Sequence, residues 1–304
     1  MSALPRVCVI VLNFNGSADT MECVQSLQKL NYPDFKVLLV DNASEDTSWK
    51  AIPKEFPAID VLETGDNLGY AGGNNAGIRW ALSHGFEDVL VLNNDLVVAQ
   101  DALLILENFS IQAPHATLLG PKVLSYGGQN LIHSLGTSMD WWRLRPHRAY
   151  YGQPKETGGS APRSAQIIPG SALLLKKRLL NEVGLFGEDY FLIHEDADLC
   201  LRNLRAGFQN VVVPAAHVYH KLSKTLSSYP FLSSYYSTRN FLVLSLSHAS
   251  FFGKVATAAG LTALSVKNAL RMFCSDKTEK ERLSGFFSGV LDFARGRRGR
   301  RVPT

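Results

Sequence analysis

The chain of 304 residues has no run apolar enough to read as a membrane span. Its longest mostly apolar stretch, Phe241 to Phe273, is interrupted by Ser245, Ser247, His248, Lys254, Lys267, Asn268 and Arg271. It reads instead as amphipathic helices, which either pack on the body or contact a membrane surface. Cysteine is scarce: four residues, at 8, 23, 200 and 274, form no CxxC pair and no short even spacing. That argues against a disulfide framework and fits buried, reduced thiols in a reducing cytoplasm. Met1 to Leu12 runs into a strand-like stretch without the charged, apolar and cleavage regions of a secretory signal, so none is expected. HExxH and GxSxG are both missing, which argues against zinc and serine hydrolysis. Neither a Walker A lysine loop nor GxGxxG after the first strand occurs, so P-loop and Rossmann dinucleotide sites are unsupported.

The net positive charge comes from one end. Lys and Arg total 31 against 27 Asp and Glu, and five of the 31 are Arg295, Arg297, Arg298, Arg300 and Arg301. Without them 26 basic residues face 27 acidic ones, so the body is near neutral. A nucleic-acid-binding face would need clustered Lys and Arg on the folded body, and no nucleic-acid partner is expected. An Arg-rich end suits an anionic membrane surface.

What is present is a core-forming composition, 46% hydrophobic and 19% charged. Short β-rich apolar runs alternate with helix-like segments, the pattern of an α/β fold whose mostly parallel sheet is flanked by helices. Arg6 to Leu12, Lys36 to Val40, Val61 to Glu63 and Val89 to Leu92 read as strands, with helices from Ser17 or Asp19 to Lys29 and from Asn74 to Ser83. Gly120 to Tyr151 carries scattered strand signals and the pair Trp141-Trp142, which offers a stacking face for a ligand or belongs to the core or a partner surface. Gln153 to Ser164 reads as a mobile loop and Ile167 to Leu175 as a strand. Helices are expected over Lys177 to Val183 and Glu195 to Ala206, and Val211 to Val213 leads as a strand into His217 to His220. The expected division is one large domain over residues 1–230 and a C-terminal appendage of amphipathic helices and Arg-rich tail over 231–304.

In open α/β sheets ligands bind beyond the carboxyl ends of the strands. Asp41, the glycine-rich segment from Gly65 to Gly77 and Asn93-Asn94-Asp95 would meet there. A carboxylate at such a strand end suits a hard divalent cation that draws its other ligands from water and a diphosphate, although Asn and Asp also favour ordinary turns. Glycines at 65, 69, 72, 73 and 77 would let backbone N–H groups approach a flat ring or phosphates. Glu195, Asp196 and Asp198 crowd one helix start, where acids are common for capping but also raise one another's pKa, leaving one poised as a general base. Ala197, Leu201, Leu204 and Phe208 make the apolar stripe of that helix, leaving Glu195, Asp198, Arg202 and Arg205 along a polar face. His217 and His220 end a strand and are candidates to join Asp95 at a metal.

The ordered set resembles the inverting family 2 glycosyltransferases of the GT-A fold, in particular the rhamnosyltransferase-like branch. It comprises Val9 to Gly16, Val40 to Ser44, Asn67 to Gly77, Asn93 to Asp95, Glu195 to Cys200, His217 to His220 and Tyr236 to Asn240. The resemblance spans about Arg6 to Asn240. It implies a Rossmann-like, mostly parallel sheet and a sugar moved from a nucleoside diphosphate donor to a hydroxyl of a saccharide or polyprenyl-diphosphate-linked glycan. Such chemistry belongs to cell-surface polysaccharide assembly, and dTDP-L-rhamnose is the donor that the branch suggests. Carried residue by residue, Leu12 and Phe14 line the nucleobase, Asp41 binds base or ribose, and Asn67, Gly72 and Asn74 complete the nucleoside pocket. Asn93-Asn94-Asp95 stands where the family has Asp-x-Asp, with Asn93 and Asn94 towards the nucleotide and Asp95 on Mg²⁺ or Mn²⁺. Asn93 departs from the usual acid, and its amide would contact the ribose. Asp196 matches the catalytic base, Glu195 and Asp198 orient the acceptor, and His220, ahead of His217, matches a further metal-binding group. The implied location is cytoplasmic, peripheral on the inner face of the cell membrane. Two other readings are a non-catalytic sugar-nucleotide-binding scaffold and a sugar-phosphate nucleotidyltransferase. The nucleotidyltransferase would need a glycine-rich, Arg-containing loop where Asn13-Phe14-Asn15-Gly16 stands, and a scaffold would be expected to have lost Asp95 or Asp196.

Overall fold

The structure, a computed structural model, describes residues 4–221, 228–272 and 275–301. The first half runs β1 (Val7–Asn13), α1 (Ser17–Leu27), β2 (Phe35–Asp41), α2 (Ile52–Glu55), β3 (Asp60–Glu63), α3 (Gly69–Ser83), β4 (Asp88–Asn93), β5 (Leu96–Val98), α4 (Ala102–Gln112) and β6 (Ala116–Ser125). The second half adds β7 (Ile132–Ser134), β8 (Thr137–Asp140), β9 (Arg145–Arg148), β10 (Arg163–Ser164), β11 (Ala172–Lys176), α5 (Lys177–Glu182), α6 (Glu195–Arg205) and β12 (Gln209–His220). Three helices close the chain, α7 (Pro230–His248), α8 (Phe251–Met272) and α9 (Lys277–Ala294).

The main sheet has the order β10-β12-β6-β11-β4-β1-β2-β3, with β5 paired to β12 and β7 to β6 off this path. β1 pairs parallel with β2 and β4, β2 with β3, and β6 with β12, whereas β11 is antiparallel to β4 and β6. The strands near the centre are buried on both faces, which is why β1 and β4 read as continuous apolar runs. On one face Cys8, Ile10, Leu38 and Val91 pack with Ile78 of α3, Leu199 of α6 and Phe241 of α7. On the other, Val9, Val11, Leu39 and Leu92 pack with Val24 of α1 and Leu103 of α4. Cys8, Cys23 and Cys200 are buried free thiols, and Cys274 lies outside the described residues.

Four expectations change. α3 begins at Gly69, not Asn74, so most of the glycine-rich segment is helix. Its glycines serve close packing: a Cβ on Gly73 would stand 2.6 Å from Leu12 Cδ1, and one on Gly77 would meet Ile10 and Val40 at 3.0 Å. The strand expected over Ile167 to Leu175 starts only at Ala172, because Ile167 bridges to Thr137 and the chain then turns through Gly170. Gln153 to Ser164 is not a free loop, since the buried Lys122 ammonium donates to Lys155 O (2.8 Å) and Gly159 O (3.3 Å). In α6, Leu204 is exposed while Glu195 and Asp198 are buried, the reverse of the expected faces at those positions. There the helix is covered by the segment before it and by α7, whose His248 and Asn240 reach over.

Candidate active site

Parallel register sets the floor of the site. Asn13 lies opposite Asp41 and Leu12 opposite Asn93, so β1, β2 and β4 end at one level. Asp41 Oδ1 accepts from Asn13 Nδ2 (2.8 Å) and Ser44 Oγ (2.6 Å), and Oδ2 accepts from the Ser44 backbone N–H (3.1 Å). With two lone pairs on each oxygen, Oδ2 retains one acceptor position for a ligand donor. Asn13 Oδ1 in turn accepts from Thr20 Oγ1 (2.8 Å), and Asn94 Nδ2 donates to Thr20 Oγ1 (2.9 Å) and Gly16 O (3.2 Å). The Asn94 amide nitrogen therefore ties β4 to the turn after β1 and is not free for a nucleotide. Asn93 is half-buried. Leu12 and Phe14 are half-buried at the same edge.

Asn42 organises the neighbouring wall. Its Oδ1 accepts from the Leu68 N–H (3.0 Å), and its Nδ2 donates to Gly69 O (3.0 Å) and Asn67 Oδ1 (3.3 Å). Asn67 Oδ1 also caps the Gly69 N–H at 2.9 Å. Gly72 is required by the helix itself, because a Cβ there would stand 2.7 Å from Leu68 Cβ. Asn74 is fully buried, with Nδ2 on Tyr70 O (2.9 Å) and a buried Oδ1 that no described residue hydrogen-bonds. It lies beneath the wall and is not a surface that a ligand reaches.

Antiparallel pairing of β5 with β12 puts His220 opposite Leu96, which brings the imidazole to Asp95. His220 Nε2 stands 3.0 Å from Asp95 Oδ1, with both side chains largely buried. His217 is three residues away along the strand and therefore on the other face, opposite Lys122. Burial and the charges of Lys155 and Lys122 push its pKa down to about 4. A third imidazole, His133, packs edge-on against His220 with ring centroids 5.2 Å apart. Burial and its neighbours His220 and Arg148 push the His133 pKa down to about 4, so this ring is neutral at physiological pH. Buried Nδ1 atoms of both His220 and His133 lack hydrogen-bond partners among the described residues. No group of three or more His, Cys, Asp or Glu among them is spaced to hold a metal by itself. Asp95 and His220 fit a divalent cation that takes its remaining ligands from water and a diphosphate.

The three acids of α6 occupy three environments. Asp196 is half-buried at the helix N-terminus, its Oδ2 accepting from the Gly170 N–H and its Oδ1 from the Ala197 N–H, each at 2.7 Å. Burial raises its carboxyl above the ordinary range against these hydrogen bonds and the more distant charge of Arg148. Glu195 is buried, and burial together with Asp196 and Asp198 holds its carboxyl far above the usual range. Its Oε2 has no hydrogen-bond partner among the described residues. Burial would raise Asp198 too, but His248 Nε2 (2.8 Å) and Arg202 Nε (2.8 Å) hold it below its ordinary value. Asp198 thus faces α7 and its own helix, where Tyr190 Oη donates a further bond at 3.3 Å, and fixes α6 in place. Tyr70 donates from its hydroxyl to Gly170 O, close to Asp196.

Sequence reasoning missed the clamp that holds α6. Phe191, Ile193 and His194 have φ of 63°, 69° and 74°, a left-handed conformation that non-glycine residues adopt at a cost. Asn240 Nδ2 lies 2.7–2.9 Å from the carbonyl oxygens of Tyr190, Leu192 and Ile193. The buried Arg239 donates to Tyr190 O (3.0 Å) and Gly299 O (2.7 Å). The Arg-rich end folds back here: Gly299 N–H donates to Asp189 O at 2.7 Å, and Arg301 stacks over Phe231 and Tyr235. Asn42 and the clamp fell inside recognised motifs but carried no separate signal, and His133 carried none.

Residues 8–183 match the family model for glycosyl transferase family 2. The chain is 28% identical over 241 residues to the N-acetylglucosaminyl-diphospho-decaprenol L-rhamnosyltransferase of Mycobacterium tuberculosis, covering 70% of this chain and 75% of that protein. It is 19% identical to the dTDP-rhamnosyl transferase RfbF of Shigella flexneri over 96% of both chains. Among solved structures, GalNAc-T7 with UDP, GalNAc and Mn²⁺ superposes with a TM-score of 0.60 at 15% identity, over 84% of this chain and 55% of that one. The mannosyltransferase PcManGT of Pyrobaculum calidifontis, in complex with GDP-Man and Mn²⁺, gives 0.58 at 15% identity over 96% and 88%. These structures share the fold, and the family match joins it to the motifs at the strand ends: the chain belongs to glycosyl transferase family 2 and has the GT-A architecture.

Proposed function

We propose that the chain is an inverting glycosyltransferase that moves a sugar from a nucleoside diphosphate to a saccharide hydroxyl, with Asp196 as general base. The observation that carries this reading is the half-open Asp196 carboxylate, tied through Gly170 to the strand beside β4, whose end leads to Asp95 and His220. The acceptor hydroxyl gives its proton to Asp196 as its oxygen attacks the anomeric carbon from the face opposite the diphosphate. The new glycosidic bond forms as the bond to the diphosphate breaks, and the configuration inverts. General-base help of this kind is worth ~10²–10⁴ in rate. Leu12, Phe14, Asp41, Asn67 and Asn93 hold the nucleoside, and Gly72 lets the wall close beside it. Asp95 and His220 would hold Mg²⁺ or Mn²⁺, which when bound offsets charge on the leaving diphosphate. Glu195, whose carboxyl burial and the neighbouring acids push far above the usual range, is drawn towards the form that can donate a hydrogen bond, while Asp198 acts on the acceptor only by fixing α6.

Two relatives named as rhamnosyltransferases support dTDP-L-rhamnose as donor, and the name of the mycobacterial one supports a polyprenyl-diphosphate-linked glycan as acceptor. The place of action on this reading is the cytoplasmic face of the cell membrane, in assembly of a cell-envelope polysaccharide. The test is a thermal-shift panel with dTDP, UDP, GDP, ADP and CDP and their sugar conjugates, each with and without Mn²⁺ or Mg²⁺. A ligand at a hundred times its Kd adds ~2.7 kcal/mol of stability. A metal-dependent shift with one nucleoside diphosphate is expected, and no shift with any of them would contradict the reading.

A further inference from the structure

α8 is built inside out. Its buried residues are the polar Thr257 and Asn268, with Thr257 Oγ1 2.7 Å from Ser245 Oγ and 3.3 Å from Trp141 O. Five of its large apolar side chains face outward, while Leu261, Leu264 and Met272 are half-buried: Phe251 is 75% exposed, Phe252 82% and Leu270 68%, with Val255 and Val266 also exposed between them. At 3.6 residues per turn these positions form one stripe along the helix. Lys254 borders the stripe on one side and Lys267 on the other, while Arg271 is paired with Glu279 at 2.7 Å. No Asp or Glu occurs between Phe251 and Met272. Trp142, 61% exposed, belongs to the turn on which α8 rests, because Gly260 packs directly on its carbonyl oxygen. No helix among the described residues is long and apolar enough to cross a membrane.

We propose that α8 lies flat in the headgroup region of an anionic lipid bilayer, inserting Phe251, Phe252, Val255, Val266 and Leu270 while Lys254 and Lys267 reach lipid phosphates. Charge selects this occupant: the stripe is bordered by cations on both sides and by no acid on its own helix, which suits anionic headgroups. Lysine stems lie along apolar surface while their ammonium groups stay at the polar boundary, and an exposed Trp is at home at that depth. The Arg-rich end is less suited, because Gly299 and Arg301 are held against the body. The turn bearing Trp142 joins β8 to β9, and Arg148 at the end of β9 is near enough to act electrostatically on Asp196. A lipid-linked acceptor lying in that surface would be held against the same body that carries the candidate base. The proposal rests on the transferase reading only for this last consequence, since lipid binding needs no donor and no turnover.

The experiment is co-sedimentation of the full chain with vesicles containing phosphatidylglycerol and with vesicles of phosphatidylcholine alone, without donor or metal. Binding to the anionic vesicles is expected, weakened by salt and by the neutral lipid. Phe251→Ser with Phe252→Ser is expected to lower the partition coefficient by about tenfold or more, because two exposed aromatic anchors are removed. Lys254→Glu with Lys267→Glu is expected to abolish the preference for anionic lipid. These side chains are exposed, and unchanged thermal unfolding of the variants verifies that the fold is intact. Absence of vesicle binding, or binding that both pairs of substitutions leave unchanged, would overturn the proposal. So would a concentration-dependent dimer that Phe251→Ser with Phe252→Ser dissolves, which would assign the stripe to a second copy of the chain.

Discussion

Asp196 accepts a 2.7 Å hydrogen bond from the backbone N–H of Gly170, and this bond joins the helix bearing the candidate base to the sheet bearing the candidate donor site. The next residue, Ser171, accepts from the Asn93 N–H at 2.9 Å, so α6 and the end of β4 are two short links apart. Asp196→Asn keeps the shape and removes the base. Nucleotide-dependent thermal shift is expected to persist while turnover falls by ~10²–10⁴. Near-normal turnover in this variant would exclude Asp196 as the base.

The same residue sets the acid limb of the rate. Only the ionised carboxylate can take a proton, and burial has raised its pKa above the ordinary aspartate value. The rate is therefore expected to fall as pH drops through a value higher than the ~3.9 of a free Asp. A pH profile of kcat/KM over the acid range checks the sign, and an acid limb below the ordinary value would contradict it.

Asp95 and His220 are assigned to the metal and not to the nucleoside. Asp95→Ala or His220→Ala is expected to remove the Mn²⁺-dependent part of the shift given by a nucleoside diphosphate, leaving the metal-independent part. A nucleotide-binding titration with and without Mn²⁺ separates the two. Loss of both parts together in a folded variant would count against the assignment.

Asn240 acts at a distance through the backbone of residues 190–193. Asn240→Leu fills the space but takes the donor from the Leu192 and Ile193 carbonyls, while Tyr190 O keeps Arg239, a loss of ~1–3 kcal/mol in stability. Urea unfolding measures that loss, and turnover should fall with KM for the donor little changed, because the nucleoside wall is built from other residues. An unchanged urea midpoint would show that the clamp contributes nothing.

Asp198 gives a signed pH dependence of stability. Its carboxyl is held below the ordinary value, because the bonds from His248 and Arg202 outweigh its burial. A depressed carboxyl stabilises the fold fully above its unfolded pKa, and that contribution is lost as pH falls through the lower folded value. Asp198→Asn is accordingly expected to lower stability at neutral pH and to flatten the acid side of the curve. Equal loss at neutral pH and near pH 2 would contradict the assignment.

The strands that frame the donor site were legible because their physics is local. β1, β2 and β4 are apolar runs ending on Asn or Asp, and burial on both faces leaves that signature intact in the sequence. Gly69 to Gly73 misled because the reason for Gly73 is tertiary: it lets α3 settle against Leu12. Composition alone reads such glycines as a loop. Periodicity found the stripe of α6, of which Ala197, Leu201 and Phe208 are buried and Leu204 is not, but it did not show what else turns inward. In α6 the buried face also includes Glu195 and Asp198, the latter paired with His248 of α7, and in α8 the stripe of Phe251, Phe252, Val255, Val266 and Leu270 is the exposed one. His133 and the clamp of Arg239 and Asn240 depend on contacts between distant segments, which no local pattern encodes.

The most direct test of the central claim is the anomeric configuration of the product, read by NMR after incubating the protein with dTDP-L-rhamnose, Mn²⁺ and a polyprenyl-diphosphate-linked saccharide. The expected result is a single new glycosidic linkage of configuration opposite to that of the donor, absent with Asp196→Asn. A product that retains the donor configuration, or an inverted product made equally well by Asp196→Asn, would contradict the account.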